Sequence, residues 1–286
     1  MTISNKQLLP DYELLDCGDG RRLERFAQII VDRPAPQAVW PKSKNCLDWP
    51  RAHAYYERPA TGKGGWRTGS FFPNPWRLPI DEIILELRPA ANNQVGVFPE
   101  QLPNWRWLKK RLSEGKGPLR VLNGFAYTGA ATLAASSAGP HVEVCHVDGA
   151  KTAVAWARRN AALSGLAERP IRWIVDDLLK FMGREIKRGQ RYDAFILDPP
   201  AFGRGPGGAW QLERDLPRLL DCVAQLVSSS PSFIILSCHA PNLRANDLLK
   251  MLQAIRPFQD RTGEALELTI PAANGNALPS SICGRI

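Results

Sequence analysis

Short apolar runs and amphipathic segments alternate along the chain from residue 105 onward. The runs have the length of buried strands, and the segments between them repeat apolar residues at helical spacing. Because parallel strands need crossover connections, which are usually helices, this alternation predicts a doubly wound α/β sheet. The predicted strands are 119–122, 141–147, 171–175, 192–197, 233–237, 266–270 and 280–286, and the predicted helices are 130–138, 150–164, 178–188, 212–227 and 242–255. The last two strands are expected to form an antiparallel hairpin.

The first 90 residues have a different pattern, rich in Pro, Gly and Trp with only short apolar runs. Three segments are typical of strands and two of turns: 12–15, 27–31 and 82–87 for the strands, and 18–20 and 61–65 for the turns. No helical pattern follows the second turn, which argues against a phosphate-binding loop there. We therefore predict two domains, a small β-rich N-terminal domain over residues 1–91 and an α/β domain over residues 92–286.

Composition and cysteine content narrow the class of protein. Hydrophobic residues make up 44% and charged residues 23% of the chain, as in soluble globular enzymes. No run reaches the ~18 apolar residues of a membrane span, and residues 1–10 lack the apolar stretch of a signal peptide. The six cysteines include no C-x-x-C pair, and the four histidines form no ligand cluster. We therefore expect reduced thiols, no metal site, no membrane partner and a cytoplasmic protein.

The net charge of +9 is concentrated in the middle of the chain, because residues 101–190 hold 15 Lys and Arg against 7 Asp and Glu. This segment includes Trp105-Arg106-Trp107 followed by further basic residues. Basic residues interleaved with tryptophans suit contacts to RNA phosphates and stacking on bases. The alternative is a solvated helix whose tryptophans belong to the core, and the sequence leaves both interpretations open.

A glycine-bearing loop follows the first predicted strand of the α/β domain, in the segment Asn123-Gly124-Phe125-Ala126-Tyr127-Thr128-Gly129. Such a loop lets the backbone approach a ligand, and the following helix start favours an anionic group. The loop lacks G-x-G-x-x-G, which disfavours a dinucleotide. Ala130-Ala131 stand where a triphosphate site needs Lys and Ser or Thr.

Acidic residues end the next two predicted strands. Asp148 lies 19 residues after Gly129, the spacing at which a carboxylate accepts hydrogen bonds from ribose hydroxyls. The alternative role for Asp148 is to cap the following helix. Asp176 and Asp177 end the third strand, where one would bind an adenine amine and the other would cap a helix. We assign the adenine contact to Asp177.

The fourth predicted strand ends in Asp198-Pro199-Pro200-Ala201-Phe202. The two prolines fix an extended backbone and remove two N–H donors, so carbonyl groups and the Asp198 carboxylate can face a ligand. A rigid turn at the sheet edge would explain the prolines but not an acid at the end of a buried strand. We predict Asp198 and Pro199 at the cofactor, and Pro200 and Phe202 at the substrate.

Together, these motifs resemble the class I S-adenosyl-L-methionine (SAM)-dependent methyltransferases related to the bacterial 23S rRNA 5-methylcytosine methyltransferases. The resemblance runs from residue 80 to the C-terminus and includes V-F-P-E-Q at 97–101, D-P-P-x-F-G-R-G from Asp198 and W-Q-L at 210–212. It is nearest to a branch without the PUA domain. It implies a seven-stranded, Rossmann-like sheet, SAM as cofactor and RNA, including rRNA, as partner. The predicted cofactor site comprises Phe98, Gln101, Asn123, Phe125, Ala126, Tyr127, Thr128, Gly129, Asp148, Asp177, Asp198 and Pro199.

The resemblance also implies a catalytic cysteine, because carbon 5 of cytosine becomes nucleophilic only after a thiolate adds to carbon 6. Cys238, in the segment Leu236-Ser237-Cys238-His239, stands at the matching place. Cys238 would attack and Asp198 would contact the base. The alternative is that Cys238 is a small apolar residue of a buried strand.

Two departures from the family leave other functions open. The N-terminal domain does not have the pattern of the RNA-binding PUA domain, and Ala201 replaces the usual lysine. The alternatives are methylation of an exocyclic base nitrogen, which needs no cysteine, methylation of a non-RNA acceptor, and a catalytically inactive module that binds SAM or RNA. The sequence leaves the oligomeric state open, a homo-oligomer included.

Overall fold

The computed structural model describes residues 9–58, 64–90, 92–115, 117–205, 208–240 and 242–286. The predicted turn at 61–65 lies mostly outside these described residues. Two compact units are present. We call Met1–Glu100 with Thr269–Ser280 the N-terminal unit, and Gln101–Leu268 with Ser281–Ile286 the C-terminal unit.

The N-terminal unit contains a five-stranded sheet in the order β1-β2-β3-β4-β5 and a separate hairpin of β6 and β7. Its strands are β1 (Tyr12–Gly18), β2 (Arg21–Phe26), β3 (Ile29–Pro34), β4 (Ala54–Glu57), β5 (Gly65–Thr68), β6 (Trp76–Ile80) and β7 (Ile83–Leu87), and a 3₁₀ turn covers Trp49–Arg51. The predicted β-rich N-terminal region is confirmed, although the sequence analysis does not predict β2, β4, β5 or β6.

Strand β2 escapes sequence prediction because two of its four buried residues, Arg22 and Glu24, are charged. Glu24 is fully buried and accepts hydrogen bonds from Tyr12 at 2.9 Å and from Arg33 at 2.5 Å. Arg22 lies 3.3 Å from the same carboxylate. Burial opposes ionisation of Glu24, but Arg22 and Arg33 together hold its pKa below the ordinary value. A buried ion cluster therefore holds β1, β2 and β3 together where apolar side chains would be expected.

The C-terminal unit is built on a seven-stranded sheet in the order β10-β9-β8-β11-β14-β16-β15, in which β16 is antiparallel to β14. The remaining strands are β8 (Leu119–Gly124), β9 (Val142–Asp148), β10 (Ile171–Val175), β11 (Ala194–Leu197), β12 (Phe202–Gly205), β13 (Gly208–Gln211), β14 (Phe233–Cys238), β15 (Glu264–Pro271) and β16 (Ala277–Arg285). The helices are α1 (Leu102–Ser113), α2 (Ala130–Ser136), α3 (Lys151–Leu163), α4 (Leu178–Lys187), α5 (Leu212–Leu226) and α6 (Ala245–Gln253), with a 3₁₀ turn at Pro99–Gln101. The predicted doubly wound sheet is confirmed.

Strands β11 and β14 form the centre of the core, and every residue of both is buried. On one face of the two strands, the apolar side chains pack with those of α4, α5 and α6 in one cluster. Among the described residues, no helix is both long enough and apolar enough to cross a membrane. All six cysteines are free thiols.

Helix α1 carries the predicted basic and tryptophan-rich segment, with one buried and one half-buried tryptophan. Trp105 is buried, and the ring of Trp107 lies 5.3 Å from that of Phe233. The guanidinium groups of Arg111 and Arg285 each lie 4.9 Å from the Trp107 ring. Of the two interpretations of this segment, the structure therefore favours a solvated helix whose tryptophans pack against the core.

The buried His146 on β9 makes stability depend on pH. Its Nδ1 lies 2.8 Å from the Thr132 hydroxyl, and burial, with a smaller effect of Arg158, lowers its pKa to about 3. The pKa of histidine in an unfolded chain is about 6.5. As pH falls below that value, the unfolded chain takes up a proton that the folded protein does not bind, so the free energy of unfolding falls.

We expect the wild-type protein to lose about 1 kcal/mol more stability per pH unit than His146→Asn between about pH 6.5 and pH 4.5. The asparagine amide keeps a group at the Nδ1 position for Thr132 but cannot titrate. Urea unfolding at several pH values measures this difference. Parallel curves for the two proteins across this range would show that His146 does not contribute.

Candidate active site

The chain order changes direction between β8 and β11, which makes the carboxyl ends of these strands the topological switch point of the sheet. Open α/β sheets bind ligands at this place. In the pairing register Leu197 of β11 lies beside Gly124 of β8 on one side and Leu236 of β14 on the other. The next residues along the three strands are Phe125, Asp198 and Ser237, so the predicted glycine loop and the D-P-P motif meet here.

The loop after β8 has a left-handed backbone at three alternate residues: Phe125 (φ 55°), Tyr127 (φ 49°) and Gly129 (φ 89°). Only glycine adopts this region without strain, and each of the other two costs about 1–3 kcal/mol. A Cβ at Gly129 would also lie 2.9 Å from the Cβ of Ala157 on α3. Such strain is typical of ligand sites, where the surrounding structure holds the loop in one form.

Gly124, at the start of the predicted loop, has a packing role. A Cβ at this position would come within 2.4 Å of Leu178 Cδ2. Its glycine therefore lets α4 approach β8. Side chains predicted at the cofactor are also used internally, since Asn123 lies 2.8 Å from the Thr132 hydroxyl and both Ala126 and Thr128 are buried. The cofactor contacts of these residues stay a prediction.

Asp148 ties the loop to the end of β9. One carboxylate oxygen accepts the Tyr127 backbone N–H at 2.8 Å, and the other accepts that of Ala150 at 2.8 Å. The N-cap of α3 is Ala150, so Asp148 does not fill the alternative capping role. Burial raises the pKa of Asp148, and the two backbone hydrogen bonds oppose that rise. Both oxygens lie at the carboxyl edge, close to the strained loop.

The two acids after β10 do not divide their roles as predicted, with adenine binding by Asp177 and helix capping by Asp176. Asp177 is the N-cap of α4 and accepts the backbone N–H of Lys180 at 2.9 Å. Asp176 accepts the backbone N–H of Asp177 at 2.8 Å and pairs with Arg184. Asp177, which the sequence analysis assigns to adenine, is therefore the residue that caps the helix. Its second carboxylate oxygen stays the predicted contact for adenine.

Asp198 is held at the switch point by its neighbours on the sheet. The Ser237 hydroxyl donates to Asp198 Oδ1 at 2.7 Å, and Gln101 Nε2 donates to the same hydroxyl at 3.0 Å. Gln101 is thus joined to Asp198 through Ser237. Sequence reasoning named Gln101 and Asp198 but not Ser237, because a serine inside an apolar strand carries no spacing signal.

The D-P-P motif continues into the hairpin of β12 and β13, which the sequence does not predict. Pro199 is buried, and the carbonyl of Pro200 accepts the Trp210 indole N–H at 2.7 Å. The Trp210 ring lies 4.9 Å from that of Phe125. Trp210 therefore ties the glycine loop to the motif, and the Pro200 carbonyl is already engaged. Phe202 is 75% exposed at the start of the hairpin.

Cys238, the predicted nucleophile, is the last residue of β14 and only 1% exposed. It packs in the apolar cluster of the core. Burial, together with the nearby charge of Asp198, raises the pKa of its thiol to about 12. Nucleophilic cysteines have the opposite character, with a lowered pKa in a partly exposed, electropositive environment.

The remaining predicted residue, Phe98, is half-buried and belongs to the N-terminal unit. The other predicted site residues belong to the C-terminal unit. The described residues contain no group of three or more His, Cys, Asp or Glu side chains arranged to hold a metal ion.

Comparison with curated proteins finds relatives that are named as methyltransferases of ribosomal RNA. Ribosomal RNA large subunit methyltransferase I of Aeromonas salmonicida is 28% identical over 205 residues, which cover 69% of this chain and 49% of that protein. Ribosomal RNA large subunit methyltransferase K/L of Pseudomonas paraeruginosa is 30% identical over 175 residues, covering 60% of this chain and 22% of that protein. The chain therefore spans half or less of the length of these relatives.

Solved structures match over more of the chain. The SAM-dependent methyltransferase from Agrobacterium tumefaciens is 35% identical, with a TM-score of 0.89 over 96% of this chain and 89% of that one. SMU.776 complexed with SAH, at 18% identity and a TM-score of 0.73 over 99% of this chain and 77% of that one, shares the fold. The S-adenosylmethionine-dependent methyltransferase family matches residues 53–258. With this match added to the strand order and the site at its switch point, the chain belongs to the S-adenosylmethionine-dependent methyltransferases.

Proposed function

We propose that this methyltransferase acts on a nitrogen of a base in RNA and that Asp198 holds the acceptor. The observation that carries this proposal is the carboxylate of Asp198, fixed at the switch point by the Ser237 hydroxyl at 2.7 Å, beside a cysteine whose thiol has a pKa of about 12. A carboxylate in this place can accept a hydrogen bond from the N–H group of a nitrogen that is to be methylated. A protonated, buried thiol does not suit the addition to carbon 6 that methylation of carbon 5 requires.

The residues at the carboxyl edge fit the cofactor SAM by the chemistry of their donor set. SAM presents ribose hydroxyls, an adenine amine, an ammonium group and a sulfonium, all of which carboxylates attract. Asp148, Asp177 and Asp198 supply such carboxylates from the ends of three strands of the sheet. In the proposal Asp148 binds the ribose and Asp177 the adenine. When bound, SAM supplies a methyl group attached to a positively charged sulfur.

The chain's own residues then act on the acceptor. Asp198 can accept a hydrogen bond from an amine, orient the nitrogen lone pair toward the methyl group and receive the proton that the nitrogen loses on methylation. Phe202, 75% exposed directly after the motif, offers an aromatic face on which a base can stack. Trp210 keeps the motif rigid through its bond to the Pro200 carbonyl.

Two observations support RNA as the substrate class. The curated relatives are named as methyltransferases of large-subunit ribosomal RNA. The excess positive charge of residues 101–190 lies on the same unit as the site, and lysine and arginine contacts supply most of the affinity of proteins for a phosphate backbone. Since the tryptophans of α1 pack against the core, these charges and the exposed Phe202 carry the proposed contact.

Methylation of cytosine carbon 5, the route that the resemblance implies, is the second candidate. This candidate is supported by the position of Cys238 at the carboxyl end of β14, next to Ser237. Cys238 is also close enough to Asp198 for the carboxylate charge to raise the pKa of its thiol. This route requires RNA to displace apolar neighbours from the thiol and to lower its pKa by several units. A module without catalysis would need no hydrogen-bonded Asp198.

The predicted ribose contact is tested with Asp148→Ala. We expect the wild-type protein to bind SAM and the variant to bind it roughly tenfold or more weakly, because a carboxylate that accepts hydroxyl hydrogen bonds is lost. Isothermal titration measures both affinities. Asp193→Ala is a matched control, since Asp193 also accepts a backbone N–H, from Arg120 at 2.9 Å, but precedes β11 at the opposite edge. No SAM binding by folded wild-type protein would overturn the cofactor site, and equal binding by Asp148→Ala would overturn the ribose assignment.

The choice between nitrogen and carbon 5 is tested with Cys238→Ala. We expect this variant to methylate RNA from a gene-deleted strain at a rate within a few-fold of wild type, because the nitrogen route needs no thiolate. RNA containing 5-fluorocytosine should form no covalent adduct with either protein. Mass mapping of the methylated nucleoside identifies the atom. An adduct with wild-type protein that Cys238→Ala abolishes would establish the carbon-5 route instead.

A further inference from the structure

A row of buried polar side chains runs through the C-terminal unit to Asp198. It consists of Arg285 on β16, Asn104 on α1, Gln101 at the start of α1 and Ser237 on β14. Each of the four is at most 9% exposed, although polar side chains are costly to bury without partners. We therefore expect these buried polar side chains to be hydrogen-bonded to one another.

Each side chain in the row is hydrogen-bonded to the next. Arg285 Nη1 donates to Asn104 Oδ1 at 3.1 Å, and Asn104 Nδ2 donates to Gln101 Oε1 at 2.9 Å. Gln101 Nε2 donates to the Ser237 hydroxyl at 3.0 Å, which donates to Asp198 Oδ1 at 2.7 Å. At the far end, Arg285 Nη2 is anchored on Glu264 at 2.7 Å.

The two ends fix the direction of every bond between them. A guanidinium can only donate, and a carboxylate can only accept. Asn104 must therefore turn its oxygen to Arg285 and its N–H to Gln101. Gln101 must in turn present its own N–H to Ser237. With its lone pair occupied in this way, the hydroxyl of Ser237 has its proton available for Asp198.

We propose that Arg285, Asn104, Gln101 and Ser237 are positioning residues for Asp198, because their directed hydrogen bonds hold its Oδ1 and so set the orientation of the carboxylate. This inference rests on the proposed role of Asp198 toward the acceptor. It gives Gln101 a function different from the cofactor contact that the resemblance implies, since both its amide oxygen and its amide nitrogen are engaged in the row.

Reversing one group in the row tests its direction. In Gln101→Glu the shape is kept, but an acceptor replaces the donor that faces Ser237. The serine proton is then drawn to the introduced carboxylate, and Asp198 loses the hydrogen bond from Ser237. We expect kcat for methylation of total RNA from a gene-deleted strain to fall about tenfold to a hundredfold, which corresponds to the loss of one hydrogen bond to a charged group. The Kd for SAM and the KM for RNA should stay within about twofold.

The variants of Ser237 provide the rescue and the coupling measurement. Ser237→Ala should lose as much kcat as Gln101→Glu, whereas Ser237→Thr keeps a hydroxyl and should retain most of it. In the Ser237→Ala background, Gln101→Glu should have little further effect, because both act through the same oxygen of Asp198. Tyr192→Phe is the matched control. It removes another buried hydrogen bond, from Tyr192 to Glu185 at 2.7 Å, at the amino end of β11.

A measurement without RNA or SAM tests the contacts themselves. The side-chain amide signals of Gln101 and Asn104 in a ¹⁵N–¹H NMR spectrum should shift in Ser237→Ala and in Asp198→Ala, and should not shift in Tyr192→Phe. Amide signals that are unchanged in both Ser237→Ala and Asp198→Ala would show that the hydrogen bonds of the row are not formed.

The kinetic outcomes separate this inference from the proposed function. If Gln101→Glu weakens SAM binding while kcat at saturating SAM is unchanged, Gln101 is a cofactor ligand and the positioning role is wrong. If Gln101→Glu loses no more kcat than Tyr192→Phe, the row serves stability alone. If Asp198→Ala methylates RNA as wild type does, the proposed function itself fails, whatever the other variants show.

Discussion

The burial of β11 and β14 on both faces is the constraint from which the site follows. A strand in this position cannot carry a polar side chain in its middle without a partner, because the cost of desolvation exceeds what apolar packing returns. Polar residues are therefore confined to the point where the strand leaves the core. Asp198 follows β11 immediately, and Ser237 is the penultimate residue of β14. Their contact is the result of two strands that end side by side.

The sequence was sufficient for those parts of the fold in which apolar residues mark the element. Segment 171–175 coincides with β10, and the other predicted strands and helices of the C-terminal unit are present with ends shifted by a few residues. It was insufficient where charge or glycine replaces apolar pattern. The buried partners of Glu24 conceal β2, and the glycines of β12 and β13 conceal the hairpin after the D-P-P motif.

The site was predictable to the extent that its residues are adjacent in the chain. Spacing and strand ends brought together the loop at 125–129, Asp148 and Asp198. The row from Arg285 to Ser237 was not accessible in this way, because its first bond alone joins residues 181 positions apart. It exists because β16 pairs antiparallel with β14, which places Cys283 opposite Ser237 and brings Arg285 level with Ile235.

A family motif also does not predict the burial of the residues within it. Cys238 stands at the position that the resemblance gives to a nucleophile, but its burial raises the pKa of its thiol, which is the opposite of what a nucleophile needs.

The hairpin of β15 and β16 has a consequence for how the protein is made. Its residues Thr269–Ser280 belong to the N-terminal unit, where Asn274 donates to the buried Asp16 and Ala273 N–H bonds to the Leu14 carbonyl. Asp16 of β1 therefore has a partner that is synthesised 258 residues later. During translation the N-terminal unit stays incomplete, with Asp16 short of one of its hydrogen bonds. Its closure therefore waits for the emergence of residues 269–280, which are synthesised after residues 101–268 of the C-terminal unit.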